Sequence, residues 1–254
     1  MIIQDSEKGS NLDSKVIYLV VPCYNEEKRW KKDYWSEILE LPNLIVCFVN
    51  DGSSDNTSVL ISNQIKGLNH IFLDFDKNRG KAEAVRLGLL KSLEDNPYAI
   101  GYLDADAAFP VRDVANQMKV FWKFAVNSEY PVSIWSSRVR LAGRSIERNA
   151  KRHYMSRVIA TYLSLILKFT IYDTQSGLKI FPTTDCLREA LEKPFQTRWF
   201  LDLEIYLRWR NLNDSEARVW EEPLEGWNDV EGSKLTGKQY LNVIRDLWKL
   251  RLYR

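Results

Sequence analysis

Cysteine is scarce: the 254 residues include three, Cys23, Cys47 and Cys186, widely spaced and odd in number. That argues against a disulfide framework and a cysteine-rich zinc site, and for a reducing compartment. Histidine is scarcer still. His70 and His153 lack metal-ligand spacing, His70 reads as structural, and no Ser-His-Asp or Cys-His arrangement suggests itself. Long apolar runs are also missing. The most apolar stretch, Val158 to Leu167, is ten residues long and ends at Lys168, against roughly 20 for a bilayer-spanning helix. Residues 1–15 are polar, with neither a signal-peptide core nor a basic transit pattern. No internal repeat or low-complexity tract interrupts the chain. What remains is an ordinary globular balance, 45% hydrophobic and 28% charged, which rules out global disorder. At roughly 150 residues per domain, the length fits one large domain or two small ones.

The net charge of +2 hides an asymmetry. Residues 1–110 carry 12 Lys/Arg against 17 Asp/Glu, a net −5; residues 111–254 carry 24 against 17, a net +7. An acidic first part suits a metal-bound ligand and a basic second part an anionic one, with scattered surface charge as the plain alternative. The overall charge is modest and no nucleic-acid-binding motif accompanies it, so no nucleic acid is expected as a partner.

Short β-branched runs alternate with helical patterns over the first 110 residues. Strands are predicted at Val16–Val21, Leu44–Val49, His70–Asp74 and Ala99–Leu103, and helices near Lys31–Leu39, Thr57–Ile65 and Lys81–Leu93. Continuous apolar strands followed by helices indicate a parallel α/β sheet, whose ligands bind beyond the carboxyl ends of the strands. Polar segments cluster there: Pro22-Cys23-Tyr24-Asn25-Glu26, Asn50-Asp51-Gly52-Ser53-Ser54-Asp55, Asn78-Arg79-Gly80-Lys81 and Asp104-Ala105-Asp106. In the second part, Val132–Trp135, Leu178–Phe181 and Arg218–Glu222 read as strands. Ser145–Phe169 reads as one long helix, and Lys238 to Arg254 as a C-terminal amphipathic helix.

Asp104 and Asp106, straddling one residue after a buried strand, can hold Mg²⁺ or Mn²⁺ against a diphosphate, or else shape a turn. Asp51 can accept hydrogen bonds from a base or ribose, or belong to a plain loop before a capped helix. Arg79 and Lys81 beside a helix start suit an anion, though the spacing is not that of a P-loop. Arg138, Arg140, Arg144, Arg148, Lys151, Arg152 and Arg157 form a dense basic string, either a phosphate grip or a solvated face. Asp202 and Glu204, beside Trp199 and Phe200, can bind sugar hydroxyls or act as a base, or lie on a surface helix.

Taken in order, the four strand-end segments resemble those of family 2 glycosyltransferases with the GT-A fold. Asp173-Thr174-Gln175-Ser176-Gly177-Leu178-Lys179-Ile180-Phe181, Arg198-Trp199-Phe200-Leu201-Asp202-Leu203-Glu204, the segment from Trp227 to Leu235 and the ending Asp246-Leu247-Trp248-Lys249-Leu250-Arg251-Leu252 resemble the polyprenyl-phosphate sugar transferases, dolichyl-phosphate β-glucosyltransferases among them. The resemblance covers nearly the whole chain. It implies an α/β GT-A fold: a mostly parallel central sheet flanked by helices, with a Rossmann-like N-terminal half. The chain is expected to divide into a flexible start over 1–15, a GT-A glycosyltransferase domain over 16–235 with a nucleotide-binding half (16–110) and an acceptor half (111–235), and an amphipathic helix over 236–254. By position, Pro22, Tyr24, Glu26 and Asp51 match the pocket for base and ribose, and Lys81 the basic residue beside it. Asp104 and Asp106 match the metal and diphosphate motif. Arg138 and Arg157 resemble the arginines that contact acceptor phosphate and donor diphosphate. Asp173, Gln175, Ser176 and the Asp202/Glu204 segment match the acceptor and sugar side. Glu83 departs from the pattern, standing where the family usually has Gly. The N-terminal membrane anchor of the eukaryotic enzymes has no counterpart here, so membrane contact is expected to be peripheral.

The implied reaction moves a hexose, glucose from UDP-glucose favoured, to a polyprenyl-type phosphate with inversion, using Mg²⁺ or Mn²⁺ at the cytoplasmic face of a membrane. A phosphate acceptor is already ionised and needs positioning more than a base. The alternative is a soluble family 2 transferase acting on a saccharide or small-molecule hydroxyl, with Asp202 as base. The apolar Val158–Leu167 stretch and the basic C-terminal helix are the candidate lipid contacts, or else they pack on the core.

Overall fold

Apolar runs bounded by polar turns fold as strands covered on both faces. In the computed structural model, which describes residues 15–147, 150–167, 170–212, 218–228 and 237–251, four such strands lie parallel. They are β1 (Ile17–Cys23), β2 (Leu44–Asp51), β3 (Ile71–Phe75) and β4 (Ala99–Leu103), with β1 paired between β2 and β4 and β3 outside β2. The helices α1 (Lys32–Leu39), α2 (Thr57–Gln64) and α3 (Lys81–Leu93) connect them. All seven lie within two residues of their predicted bounds.

The second part continues through α4 (Val111–Asn127), β5 (Val132–Ser137), β6 (Ser145–Glu147), α5 (Ala150–Leu167), β7 (Leu178–Pro182), α6 (Asp185–Glu192), α7 (Leu201–Asn211), β8 (Arg218–Pro223), β9 (Gly226–Asn228) and α8 (Gly237–Leu250). The main sheet runs β3-β2-β1-β4-β7-β5-β8. Only β7 is antiparallel to its neighbours, so the carboxyl ends of the other six share one edge. The long helix expected from Ser145 starts instead at Ala150. Ser145–Glu147 extends as β6 and pairs in parallel with β9, a partner some 80 residues away that no local periodicity reveals.

Side chains alternate along the strands and build a core on each face of the sheet. Ile17, Leu19 and Val21 of β1 pack with Trp35 and Ile38 of α1 and with Val114 and Phe121 of α4. Tyr18 and Val20 face Val85 and Leu89 of α3, Leu187 of α6 and Leu203 and Leu207 of α7. α8 joins this second layer: Val243 and Leu250 are buried, and Asp246 accepts from the amides of Arg198 (2.7 Å) and Trp199 (3.1 Å).

Candidate active site

Side chains tie the strand ends together. After β1, Asn25 adopts a left-handed backbone (φ 53°), and its amide donates to Ser53 Oγ at 3.0 Å while its Oδ1 accepts from Ser54 N at 2.9 Å. Gly52 has φ +66°, and a Cβ there would lie 2.4 Å from the carbonyl carbon of Lys77. Only glycine lets the loop after β3 approach so closely. That loop is then fixed by Asp51, whose carboxylate accepts from the amides of Arg79 (2.7 Å) and Gly80 (2.8 Å). Burial raises the Asp51 pKa, and the two amides oppose the rise. The residue predicted to meet the nucleotide thus also closes the loop beside it.

Lys81, the first residue of α3, places its Nζ 2.5 Å from Asp104 Oδ1. Asp104 N donates to Gly177 O at 2.9 Å, joining β4's end to the loop before β7. Asp106 Oδ1 accepts from Ala108 N at 3.2 Å. Its pKa is raised, first by burial and then by the nearby Asp104 carboxylate, with Lys81 and Arg29 opposing. Arg29 is held there by the buried Glu26, through contacts of 2.5 and 2.7 Å. Two carboxylates and two cations therefore share the end of β4. Pro22 is half-buried on β1 opposite Val49, and Tyr24 is exposed on the loop that follows. Glu83, the departure from the family pattern, pairs with Arg86 at 2.6 Å, and Arg86 donates to the carbonyls that end α6.

The acceptor-half residues form a second group. Asp173 accepts from Arg138 through its backbone N (3.0 Å), Nε (2.7 Å) and Nη2 (2.8 Å), a buried bidentate pair. Arg157 on α5 lies over the Tyr172 ring at 3.7 Å. Gln175 N donates to Asp173 Oδ1 (3.1 Å), and Gln175 Nε2 to Trp199 O (3.2 Å). Ser176 is fully buried, its hydroxyl against that of Ser136. Arg148 lies outside the described residues, and the side chains of Lys151 and Arg152 are not among those described.

Asp202 and Glu204 do not lie on a surface helix, because α7 is buried from Leu201 through Leu207. Asp202 pairs with the fully buried Lys179 of β7 and accepts from Tyr102 OH at 3.3 Å. The same Lys179 ammonium donates to Ser176 O (2.7 Å) and Thr174 O (3.3 Å). Glu204 clamps the preceding loop, accepting from Gln196 N (2.9 Å), Thr197 N (2.8 Å), Thr197 Oγ1 (2.8 Å) and Arg208 Nη2 (2.7 Å). His70 is structural as read: its Nδ1 accepts from Val46 N at 3.1 Å.

Sequence reasoning missed Arg29, Tyr102 and Glu221 outright and gave Gly177 and Lys179 no role. Lys179 carried a signal, a lysine inside the apolar strand Leu178–Phe181, which must be paired if buried. Glu221 carried none, since its partners, the amides of Tyr172 and Asp173, lie some 50 residues away.

The model of the glycosyl transferase family 2 matches residues 18–181, well over half of the chain. The chain belongs to glycosyl transferase family 2. Among curated relatives in this family, a dolichyl-phosphate beta-glucosyltransferase of Trichomonas vaginalis is 30% identical over 250 residues, spanning 94% of this chain and 74% of the relative. The human dolichyl-phosphate beta-glucosyltransferase is 30% identical over 262 residues, 94% of this chain and 76% of the relative. Among solved structures, glucosyl-3-phosphoglycerate synthase of Mycobacterium tuberculosis with Mn²⁺, UDP-glucose and phosphoglyceric acid superposes with a TM-score of 0.63 at 12% identity, over 94% of this chain and 80% of that one. The same enzyme with UDP gives 0.62 at 17% identity, over the same shares. At that identity the likeness establishes the shared GT-A fold.

Proposed function

We propose that this family 2 chain transfers glucose from UDP-glucose to a polyprenyl-type phosphate, with inversion at the anomeric carbon. The observation that carries this reading is the placement of Asp104. One carboxylate meets the cation at the start of α3 on the nucleotide side and packs against Gly177 of the acceptor-side loop. Donor diphosphate and acceptor would therefore meet at one point beyond the sheet edge. The names of the curated relatives support glucose and a lipid phosphate as the transferred group and the acceptor.

Asp104 and Asp106 fit a hard divalent cation. Their oxygens are the right donor type, and two like charges crowded at a buried strand end are relieved by a cation. Among the described residues no group of three His, Cys, Asp or Glu is placed to hold a metal. The two carboxylates would therefore share it with diphosphate oxygens and water, as Mg²⁺ and Mn²⁺ sites commonly do. When bound, the cation supplies positive charge against the negative charge building on the departing UDP. Lys81 and Arg29 add to that field. Pro22, Tyr24 and Asp51 would line the base and ribose pocket, and Gln175 and Ser176 would shape the loop beneath the sugar. Arg138 and Arg157 would hold the acceptor phosphate, with Asp173 orienting Arg138. The phosphate is ionised at neutral pH, so no side-chain base is required. The engagement of Asp202 with buried Lys179 agrees with a reaction that does without one.

We place the lipid contact on α5 and α8. Val158, Leu165 and Trp248 are 66%, 75% and 66% exposed, and Arg251 lies over Tyr162, linking the two helices. Arg245 and Arg251 are exposed and Lys249 is partly so, a pattern suited to an anionic surface. Among the described residues no helix is long and apolar enough to cross a membrane. The low and odd cysteine count supports the cytoplasmic face.

The test is nucleotide release from a panel of donor sugars with Mn²⁺, with and without a short-chain polyprenyl phosphate. Release from UDP-glucose that depends on the lipid phosphate is the expected result. Release indifferent to the lipid would instead assign a hydroxyl acceptor.

A further inference from the structure

We infer that Glu221 is a positioning residue for the acceptor phosphate, a single carboxylate that sets the pose of both Arg138 and Arg157. The inference rests on the acceptor reading above and names how that site is held.

Glu221 lies on β8, opposite Trp135 of β5. Its two oxygens take consecutive amides: Oε2 accepts from Tyr172 N at 2.6 Å and Oε1 from Asp173 N at 2.8 Å. A charged acceptor straddling two amides fixes the peptide plane between them, and with it the directions of both side chains. Each of those side chains then holds one arginine. The Tyr172 ring lies 3.7 Å beneath the Arg157 guanidinium. The Asp173 carboxylate takes Arg138 through three donors at 2.7 to 3.0 Å, and the Arg138 guanidinium also lies 5.0 Å over the Trp227 ring. The two arginines come from separate elements, the end of β5 and the middle of α5. Their partners are adjacent residues whose backbone one side chain pins. Arg138 balances the buried Asp173, and the nearby Lys179 ammonium acts favourably on the half-buried Glu221.

Glu221→Gln is the test, since it keeps the size and turns one acceptor into a donor facing an amide N–H. Four quantities are read: melting temperature, UDP-glucose affinity with Mn²⁺, kcat and KM for a short-chain polyprenyl phosphate, and phenylglyoxal labelling of Arg138 and Arg157 by mass spectrometry. The expected result is a rise in acceptor KM of about tenfold or more, as misplaced binding groups give, with donor affinity unchanged and both arginines labelled faster. In an Arg157→Met background the effect of Glu221→Gln should shrink, because the two changes act on one path. Simple additivity, an unmoved acceptor KM, or a matching loss of donor affinity overturns the inference. Should Glu221→Gln fail to fold, Tyr172→Leu removes the platform under Arg157 and should reproduce the acceptor-specific loss; an unchanged acceptor KM there overturns it equally. If the wild-type protein ignores lipid phosphate, the acceptor reading itself fails. Labelling then decides alone: faster labelling sustains the positioning role, and unchanged labelling overturns it.

Discussion

The carboxylate of Asp104 packs directly on the α-carbon of Gly177, so that a Cβ at 177 would come within 2.1 Å of Asp104 Oδ2. The Asp104 amide also donates to the Gly177 carbonyl. A side chain at 177 must therefore push aside the proposed metal ligand or the loop. Gly177→Ala should lose cation-dependent turnover by roughly a hundredfold, the scale of a 1 Å misplacement. Overpacking should cost about 1–3 kcal/mol of stability. Steady-state kinetics with a Mn²⁺ titration and a thermal melt check both. Wild-type Mn²⁺ dependence in the variant would mean that the Asp104 pose does not matter to the reaction.

Lys81 Nζ occupies an Asp104 oxygen that the metal reading needs. A divalent cation arriving without nucleotide has to displace this ammonium. Lys81→Met should then bind Mn²⁺ about 1.5- to 5-fold more tightly than the wild type in the absence of nucleotide, the release of a partly exposed ion pair worth about 0.2–1 kcal/mol. With Mn²⁺ present, the same variant should bind UDP more weakly, having lost a cation near the diphosphate. Free-Mn²⁺ EPR and calorimetry measure the two affinities. Lys81→Arg should behave as the wild type, and a Mn²⁺ affinity that ignores residue 81 would dismiss the competition.

Asp202 stands between two roles that one substitution separates. It is buried with Lys179, whose ammonium also holds the carbonyls of Thr174 and Ser176. Asp202→Asn leaves that cation without its counter-charge, and breaking such a pair costs about 3–5 kcal/mol. The expected outcome is a lower melting temperature with turnover per folded molecule on a phosphate acceptor largely kept. The double variant Asp202→Asn with Lys179→Met should recover stability, since neither charge is then buried. A variant that melts like the wild type, binds donor and has lost turnover would make Asp202 a base and the acceptor a hydroxyl.

The nucleotide half was readable because its signals are local. Apolar runs such as Leu44–Val49, turns such as Asp51-Gly52-Ser53 and a paired-carboxylate motif at a strand end each declare themselves within ten residues. The acceptor half depends on contacts across the chain. β6 forms only by meeting β9, and Asp202 of α7 is neutralised by a lysine on β7. Glu221 acquires a role only when β8 is laid beside β5. Some signals were present and went unused. Val114, Met118 and Phe121 repeat at helical spacing and mark α4. The buried position of Lys179 could have been suspected from the apolar strand around it.

Glu221 should also set a pH dependence. Burial pushes its pKa above the ordinary glutamate value of 4.5, and the nearby Asp173 carboxylate adds to the rise. The amides of Tyr172 and Asp173 and the Lys179 ammonium pull it back. Protonation takes a lone pair away from the two amides, so the grip on the arginines weakens as pH falls. The acid limb of kcat/KM for the lipid phosphate should therefore begin on the alkaline side of 4.5, while donor affinity shows no limb from this group. Stability runs the other way. The folded chain holds this proton more tightly than the unfolded chain, so the contribution of Glu221 to unfolding free energy is fully present below 4.5 and is lost as pH rises through the folded value. Glu221→Gln removes the titrating group. Its acceptor KM should be high at every pH, and its melting temperature should lose this share of the slope. An acid limb that survives unchanged in Glu221→Gln would assign that titration to another group.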